Sequence, residues 1–298
     1  MPRNYHNSVI ERMRKENLLA HLQNLVGDRN SFIHSRRLRA AAEYINRQFK
    51  ACGYQVHADS VRLLWRLYPN IIAEAAGANP DAPVLIIGAH YDSVLGSPGA
   101  DDNASGVAAM LEVARVLSGK LLAEKSSRLR IQFVGFALEE QSMAGSAHYV
   151  RMLSRQRMAL EGMVSLEMVG YTSNAPSSQQ FPPGLDHLYP HVGNFIGVVA
   201  NERSRTLLNT VVAAMKTVEG LPIESLAVPQ NGEVLPPTRL SDHSPFWDRG
   251  YPALMITDTS WFRNPHYHQS TDTIETLNLD FMARVAEGVA RSVEAMTK

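Results

Sequence analysis

A single cysteine, Cys52, stands among 298 residues. No internal disulfide can form, and the lone thiol reads as idle or buried rather than nucleophilic. An excess of charge is missing too: 29 Lys and Arg against 29 Asp and Glu leave a formal net charge of +0. No global field then recruits nucleic acid or an anionic membrane, so a substrate must be recognised locally. The amino-terminal stretch from Met1 to Asn7 lacks the apolar run of a signal peptide. No window reaches the ~18 apolar residues that span a bilayer. A cytoplasmic protein is the expectation, with a processed export form as the alternative. Internal repeats are absent, and no Gly/Ser- or Pro-rich linker separates halves that fold alone. We expect one domain over residues 1–298, with the helices of residues 1–53 packed on the same core.

What the chain does have is a series of short apolar runs that end in polar, chemically capable residues. Val84 to Ala89, β-branched at Val84, Ile86 and Ile87, is too short for a typical helix and reads as a buried strand. It ends in His90 and Asp92, which at positions i and i+2 point to the same side, so Asp92 is placed to orient the His90 imidazole. After the loop Gly99 to Gly106, the residues Val107, Met110, Leu111, Ala114 and Leu117 take helical spacing. Strand, acidic loop and helix make half of a crossover unit, and ligands of open α/β sheets sit beyond the carboxyl ends of such strands. The predicted class is α/β, a three-layer α/β/α sandwich with a central mixed, mostly parallel sheet.

Helices are predicted from Ser8 to Leu25 and from Ser35 to Cys52, the second with an apolar face of Leu38, Ala41, Ala42, Tyr44, Ile45 and Phe49. Tyr54 to Leu67 and Asn70 to Ala75 are predicted as an edge strand pair turning at Tyr68-Pro69. Leu129 to Phe136 is the next strand and delivers Glu139 and Glu140. Two adjacent acids there suit either a helix amino terminus, where carboxylates meet the macrodipole favourably, or a pair of functional groups. Gly162 to Val169 is a strand interrupted by Glu167, a carboxylate costly to bury without a positive partner, and no Lys or Arg is near it in sequence. The loop from Thr172 to Gly184, rich in Ser, Pro, Asn and Gln, is a candidate rim over a site. Further strands are predicted around Phe195 to Ala200, Ile223 to Val228 and Ala253 to Thr257, with helices from Ser204 to Val218 and Leu279 to Met296.

His90, Asp102, Glu140, Glu167 and His268 thus all follow apolar strands. Two imidazoles and three carboxylates, one of them shared, suit a pair of divalent ions with mixed nitrogen and oxygen ligands. Such ions also explain how the acids are buried without Arg partners.

Five motifs in order, His90-x-Asp92, Gly99 to Gly106, Leu138-Glu139-Glu140, Leu166 to Tyr171 and Tyr267-His268-Gln269, resemble those of the M28 family of zinc aminopeptidases. The resemblance implies two Zn²⁺ per chain, bridged by Asp102, one held by His90 and Glu167 and the other by Glu140 and His268. It implies Asp92 as the partner of His90 and Glu139 as general base, and it makes Asp102-Asn103 a candidate cis peptide. Tyr267 matches a tyrosine that in some relatives hydrogen-bonds the oxyanion; an aromatic packed under the rim is the other reading. Glu167 departs from the pattern, being one methylene longer than the Asp of many secreted members.

The implied function is hydrolysis of amino-terminal peptide bonds in short peptides with a free amine. A glutaminyl cyclase or carboxypeptidase on the same fold, and a non-catalytic binding domain, are the alternatives. Asp242-His243 imitates a catalytic pair and is read as supporting the floor of the site. Ser93, Ser105 and Ser270 lie near histidines, but no Gly-x-Ser-x-Gly elbow is present. Tyr171, Phe195, Phe246, Trp247, Trp261 and Phe262 are candidates for an apolar pocket or for core.

Overall fold

Seven consecutive buried residues from Val84 to His90 need cover on both faces, the situation of an inner parallel strand. The computed structural model describes residues 13–123 and 128–297. It arranges β1 (Gln55–Leu63), β2 (Arg66–Glu74), β3 (Val84–His90), β4 (Arg130–Phe136), β5 (Leu160–Glu167), β6 (Ile196–Asn201), β7 (Ile223–Val228) and β8 (Ala253–Thr257) in one sheet. The strand order is β1-β2-β4-β3-β5-β8-β6-β7. The inner run β4-β3-β5-β8 is parallel throughout. β6 pairs antiparallel with β8 and parallel with β7, and β1 and β2 add antiparallel strands at the other edge.

The helices, in chain order, are α1 (Lys15–Leu25), α2 (Ser35–Ala51), α3 (Gly106–Ala123), α4 (Ala144–Gln156), α5 (Arg205–Met215), α6 (Ser244–Asp248) and α7 (Leu279–Met296). Strand alternation divides the core in two. Leu85, Ile87, Phe133, Leu166 and Ile256 pack with α1, α2, α3, α5 and α7. Val84, Ile86, Val134, Phe136 and Met163 face the other way, towards α4 and α6. The result is the three-layer sandwich with a mixed sheet that the sequence predicts. All six residues of the α2 apolar face are buried, and full burial of Ile45 and Phe49 contributes roughly 1.5–3 kcal/mol each.

Two details differ from expectation. The β1–β2 turn lies at Leu64-Trp65, where Leu64 takes φ +53, and not at Tyr68-Pro69. Pro69 sits inside β2 but before Ile71, where pairing with β4 begins, so its missing N–H interrupts no bond on that side. The helix expected from Ser8 is observed from Lys15, and residues 8–12 lie outside the described residues. No described helix is long and apolar enough to cross a membrane.

Strand order reverses around β3: the chain passes to β4 on one side and then to β5 on the other. This opens a crevice at the carboxyl ends of β3, β4 and β5, and the candidate residues meet there.

Candidate metal centre and active site

His90 and Glu167 are the last residues of adjacent parallel strands. Asp102 comes from the bend before α3, where the Asp102-Asn103 peptide is cis. Asn103 fixes this bend: its side-chain amide donates to the Leu166 carbonyl (2.8 Å), and its Oδ1 accepts from the N–H groups of Gly106 and Met168 (3.1 Å each). Gly106 is needed because a Cβ there would stand 2.6 Å from the Leu166 carbonyl oxygen. Asp102 then presents one oxygen to each imidazole. Its Oδ1 is 3.3 Å from His90 Nε2 and its Oδ2 is 3.1 Å from His268 Nε2. Glu167 Oε2 lies 3.4 Å from His90 Nε2, and Glu140 Oε2 lies 3.7 Å from His268 Nε2. Two ligand groups result, His90–Asp102–Glu167 and Asp102–Glu140–His268, with Asp102 in both.

The donor set fits a pair of cations. Neither ring nitrogen of the buried His90, nor Glu140 Oε1, has a hydrogen-bond partner among the described residues, an arrangement expensive to leave uncompensated. A tetrahedral ion with bonds of about 2.0–2.1 Å holds its ligands about 3.3 Å apart, close to the separations around His90. The charges agree. Burial and then the Asp102 charge push Glu140 up to about 9. Burial opposes the charged form of His90, but the carboxylates of Glu167, Asp102 and Asp92 prevail and hold its pKa well above the usual value. Burial likewise opposes ionised Asp102, yet the nearby His268 and His90 imidazoles hold it below the usual carboxylate range. Acidic groups outnumber basic ones here, so the cluster has a deficit of positive charge that divalent ions would fill.

Asp92 has a second task besides the imidazole. Its Oδ1 lies 3.5 Å from His90 Nδ1, and the carboxylate accepts the main-chain N–H groups of Glu139 (3.0 Å) and Glu140 (3.1 Å). With Leu138 at φ +63, this bond pair sets both acids over the crevice. Glu139 lines the cavity, and burial, reinforced by Glu167 and Glu140, pushes its carboxyl well above the usual range. Tyr267 stacks on the His268 ring (centroids 3.7 Å apart, planes at 19°). Burial and then the charges of Asp102, Glu167, Glu140 and Glu139 raise its pKa.

Several other candidates lie apart from the ligand groups. His243 bonds the Thr238 carbonyl (2.8 Å) and packs edge-on against Trp247, so it is turned from the ligand groups. Burial pushes the adjacent Asp242 up to about 7. Ser93 and Ser105 bond the main chain, at Arg29 and Ser97 and at Asp101 and Val169 respectively. Phe246 and Trp247 belong to the core, whereas Phe195, Trp261 and Phe262 line the cavity.

Sequence reasoning missed four supports. Ser241 donates to Glu167 Oε2 (2.7 Å). Asp272 accepts the N–H groups of Asp101 (2.8 Å) and Asp102 (3.2 Å). Arg29, 1% exposed, donates to the carbonyls of Leu25, Gly27, Tyr91, Pro98 and Gly99. Arg263 braces the rim through Gln179 and the Phe195 carbonyl.

From the ligand groups a cavity of about 360 Å³ runs outward. Its walls are the loop carrying Gln179, Phe181 and Tyr189 and the segment carrying Leu235, Thr238 and Leu240, so the expected rim does border the site.

A model of peptidase family M28 matches residues 70–293. The uncharacterized protein YfbL of Escherichia coli (strain K12) is 38% identical over 266 residues, covering 85% of this chain and 78% of that protein. A solved zinc aminopeptidase from Bacillus subtilis, BSAP, is 26% identical with a TM-score of 0.60, covering 79% of this chain and 52% of that one. The Legionella pneumophila LapA aminopeptidase shares the fold at a TM-score of 0.77 and 22% identity, covering 98% of this chain and 74% of that one.

Proposed function

The chain belongs to peptidase family M28 and is a metallopeptidase, and from that premise we propose that it is a two-zinc aminopeptidase acting on short peptides with a free amino end. The observation that carries this reading is the Asp102 carboxylate, with one oxygen turned to each of two ligand groups. His90 and Glu167 would hold one ion, Glu140 and His268 the other, and Asp102 both. When bound, the ions supply a water acidified from ~15.7 towards ~7 and a Lewis acid for the scissile carbonyl.

The chain's own groups do the rest. Glu139, fixed through its N–H by Asp92, takes the proton of the attacking water and passes it to the departing amine. Tyr267, beside His268, directs its hydroxyl towards the carbonyl oxygen as negative charge develops there. The acidic end of the cavity receives the substrate α-amine, and the apolar walls exclude water from the reacting atoms.

The test is zinc content by elemental analysis, joined to kcat/KM on amino-acid anilides with free and blocked amines. Two zinc per chain and cleavage of the free-amine substrates alone are expected, with chelation abolishing turnover and Zn²⁺ restoring it. Full activity in excess chelator, or one zinc with cyclisation of glutaminyl peptides in place of hydrolysis, overturns the reading.

A further inference from the structure

The floor of the cavity is a row of residues running straight across the sheet. Glu167 of β5 pairs with Thr257 of β8, Thr257 with Gly197 of β6, and Gly197 with Glu224 of β7. All four line the cavity. Three strand steps of about 4.8 Å set the α-carbons of Glu167 and Glu224 about 14 Å apart. Gly197 contributes no side chain midway, so the row is open as a trench. Glu224 stands at its far end, half-buried, and no ion pair or side-chain hydrogen bond joins it to another described residue. Tyr189 donates its hydroxyl to the carbonyl of Ser225 next door, and Phe181 stacks on Tyr189 with centroids 5.9 Å apart. Aromatic faces beside a free carboxylate favour a cation.

Among the described residues, no Lys or Arg borders the cavity. The acids at the inner end are engaged by the proposed ions or, for Glu139, by the attacking water, which leaves Glu224 as the lining acid with no task there. We propose that Glu224 is a specificity determinant that selects peptides beginning with arginine or lysine. This rests on the aminopeptidase reading and names the substrate class for the same site. With the α-amine at the Glu167 end, an extended arginine reaches about 8–9 Å from that nitrogen to its guanidinium. One contact at either end completes the span to Glu224. The methylene stem passes over Thr257 and Gly197, flanked by the apolar Met255, Val199 and Leu226 of the next row along the strands.

The test compares arginyl anilide with citrullyl anilide, its neutral isostere, on the zinc-loaded enzyme. The wild type should favour arginine about tenfold or more in kcat/KM, and E224Q should bring the ratio near one. E224K should invert it. Free arginine should also compete better than citrulline in the wild type and lose that advantage in E224Q. Cleavage of leucyl anilide with no arginyl advantage, or a basic preference appearing only at the second residue of dipeptides, overturns the role of Glu224 and leaves the aminopeptidase reading standing. Failure to cleave any free-amine anilide removes both.

Discussion

Asp101 turns its carboxylate to the N–H of Gly170 (2.9 Å) and the side-chain amide of Asn264 (2.7 Å), whereas Asp102, the next residue, turns its own to two imidazoles. Both are buried. Around Asp101 the other acids are also met by protein donors: Asp258 accepts from Tyr171 and Ser260, and Asp272 from Asp101 and Asp102. Burial, then the neighbouring Asp101 charge, pushes Asp258 well above the carboxylate range, so this pair balances itself by keeping a proton. Around Asp102, by contrast, ligand atoms face one another, and both ring nitrogens of His90 and Glu140 Oε1 lack a hydrogen-bond partner among the described residues. Two acidic clusters of similar composition lie side by side. The supply of main-chain N–H groups separates the one that shapes the backbone from the one built for cations.

Asp102→Ala should break this comparison most severely. Loss of the shared ligand should lower zinc on both sides and reduce kcat/KM by about 10³-fold or more. Stability in chelator should fall, because the buried His90 imidazole loses a carboxylate partner. Normal zinc content in this variant would contradict the sharing of Asp102. Glu139→Gln comes next, with zinc and fold retained and kcat reduced about 10²–10⁴-fold. Near-normal kcat there removes the base assignment.

On the structural side the effects move from turnover to folding. Asp272→Ala strands two buried N–H groups and should cost about 1–3 kcal/mol, read from urea midpoints in chelator; an unchanged midpoint would mean that the bend before α3 holds itself. Asp272 also shows where the sequence falls silent. His90 and Glu167 were legible because each ends a buried strand, and Glu167 interrupts an apolar run with no cation near it. The three layers and most strand limits were legible from the same runs. Asp272, Arg29 and Arg263 were not, because each reaches main-chain groups 62 to 171 residues away, and no local pattern encodes such a meeting. The misplaced β1–β2 turn has a similar cause. Proline forbids a strand only where its N–H would be paired, and which side lacks a neighbour is decided by sheet order.

The same contrast extends to histidine, with a smaller effect. His21, 7% exposed, meets the Tyr44 hydroxyl at 2.8 Å, and burial lowers its pKa to about 4, the opposite direction to His90 among its carboxylates. The folded protein therefore binds fewer protons than the unfolded chain between pH 6.5 and about 4. The stability contribution of neutral His21 is present above pH 6.5 and is lost as pH falls through this window. His243, also lowered to about 4 by burial, acts in the same sense, so one proton should remain when His21 is removed. His21→Gln should flatten the fall in urea-derived stability between pH 6.5 and 4.5 by up to about 1.4 kcal/mol per pH unit. An identical slope in variant and wild type would mean that this imidazole titrates alike in both states.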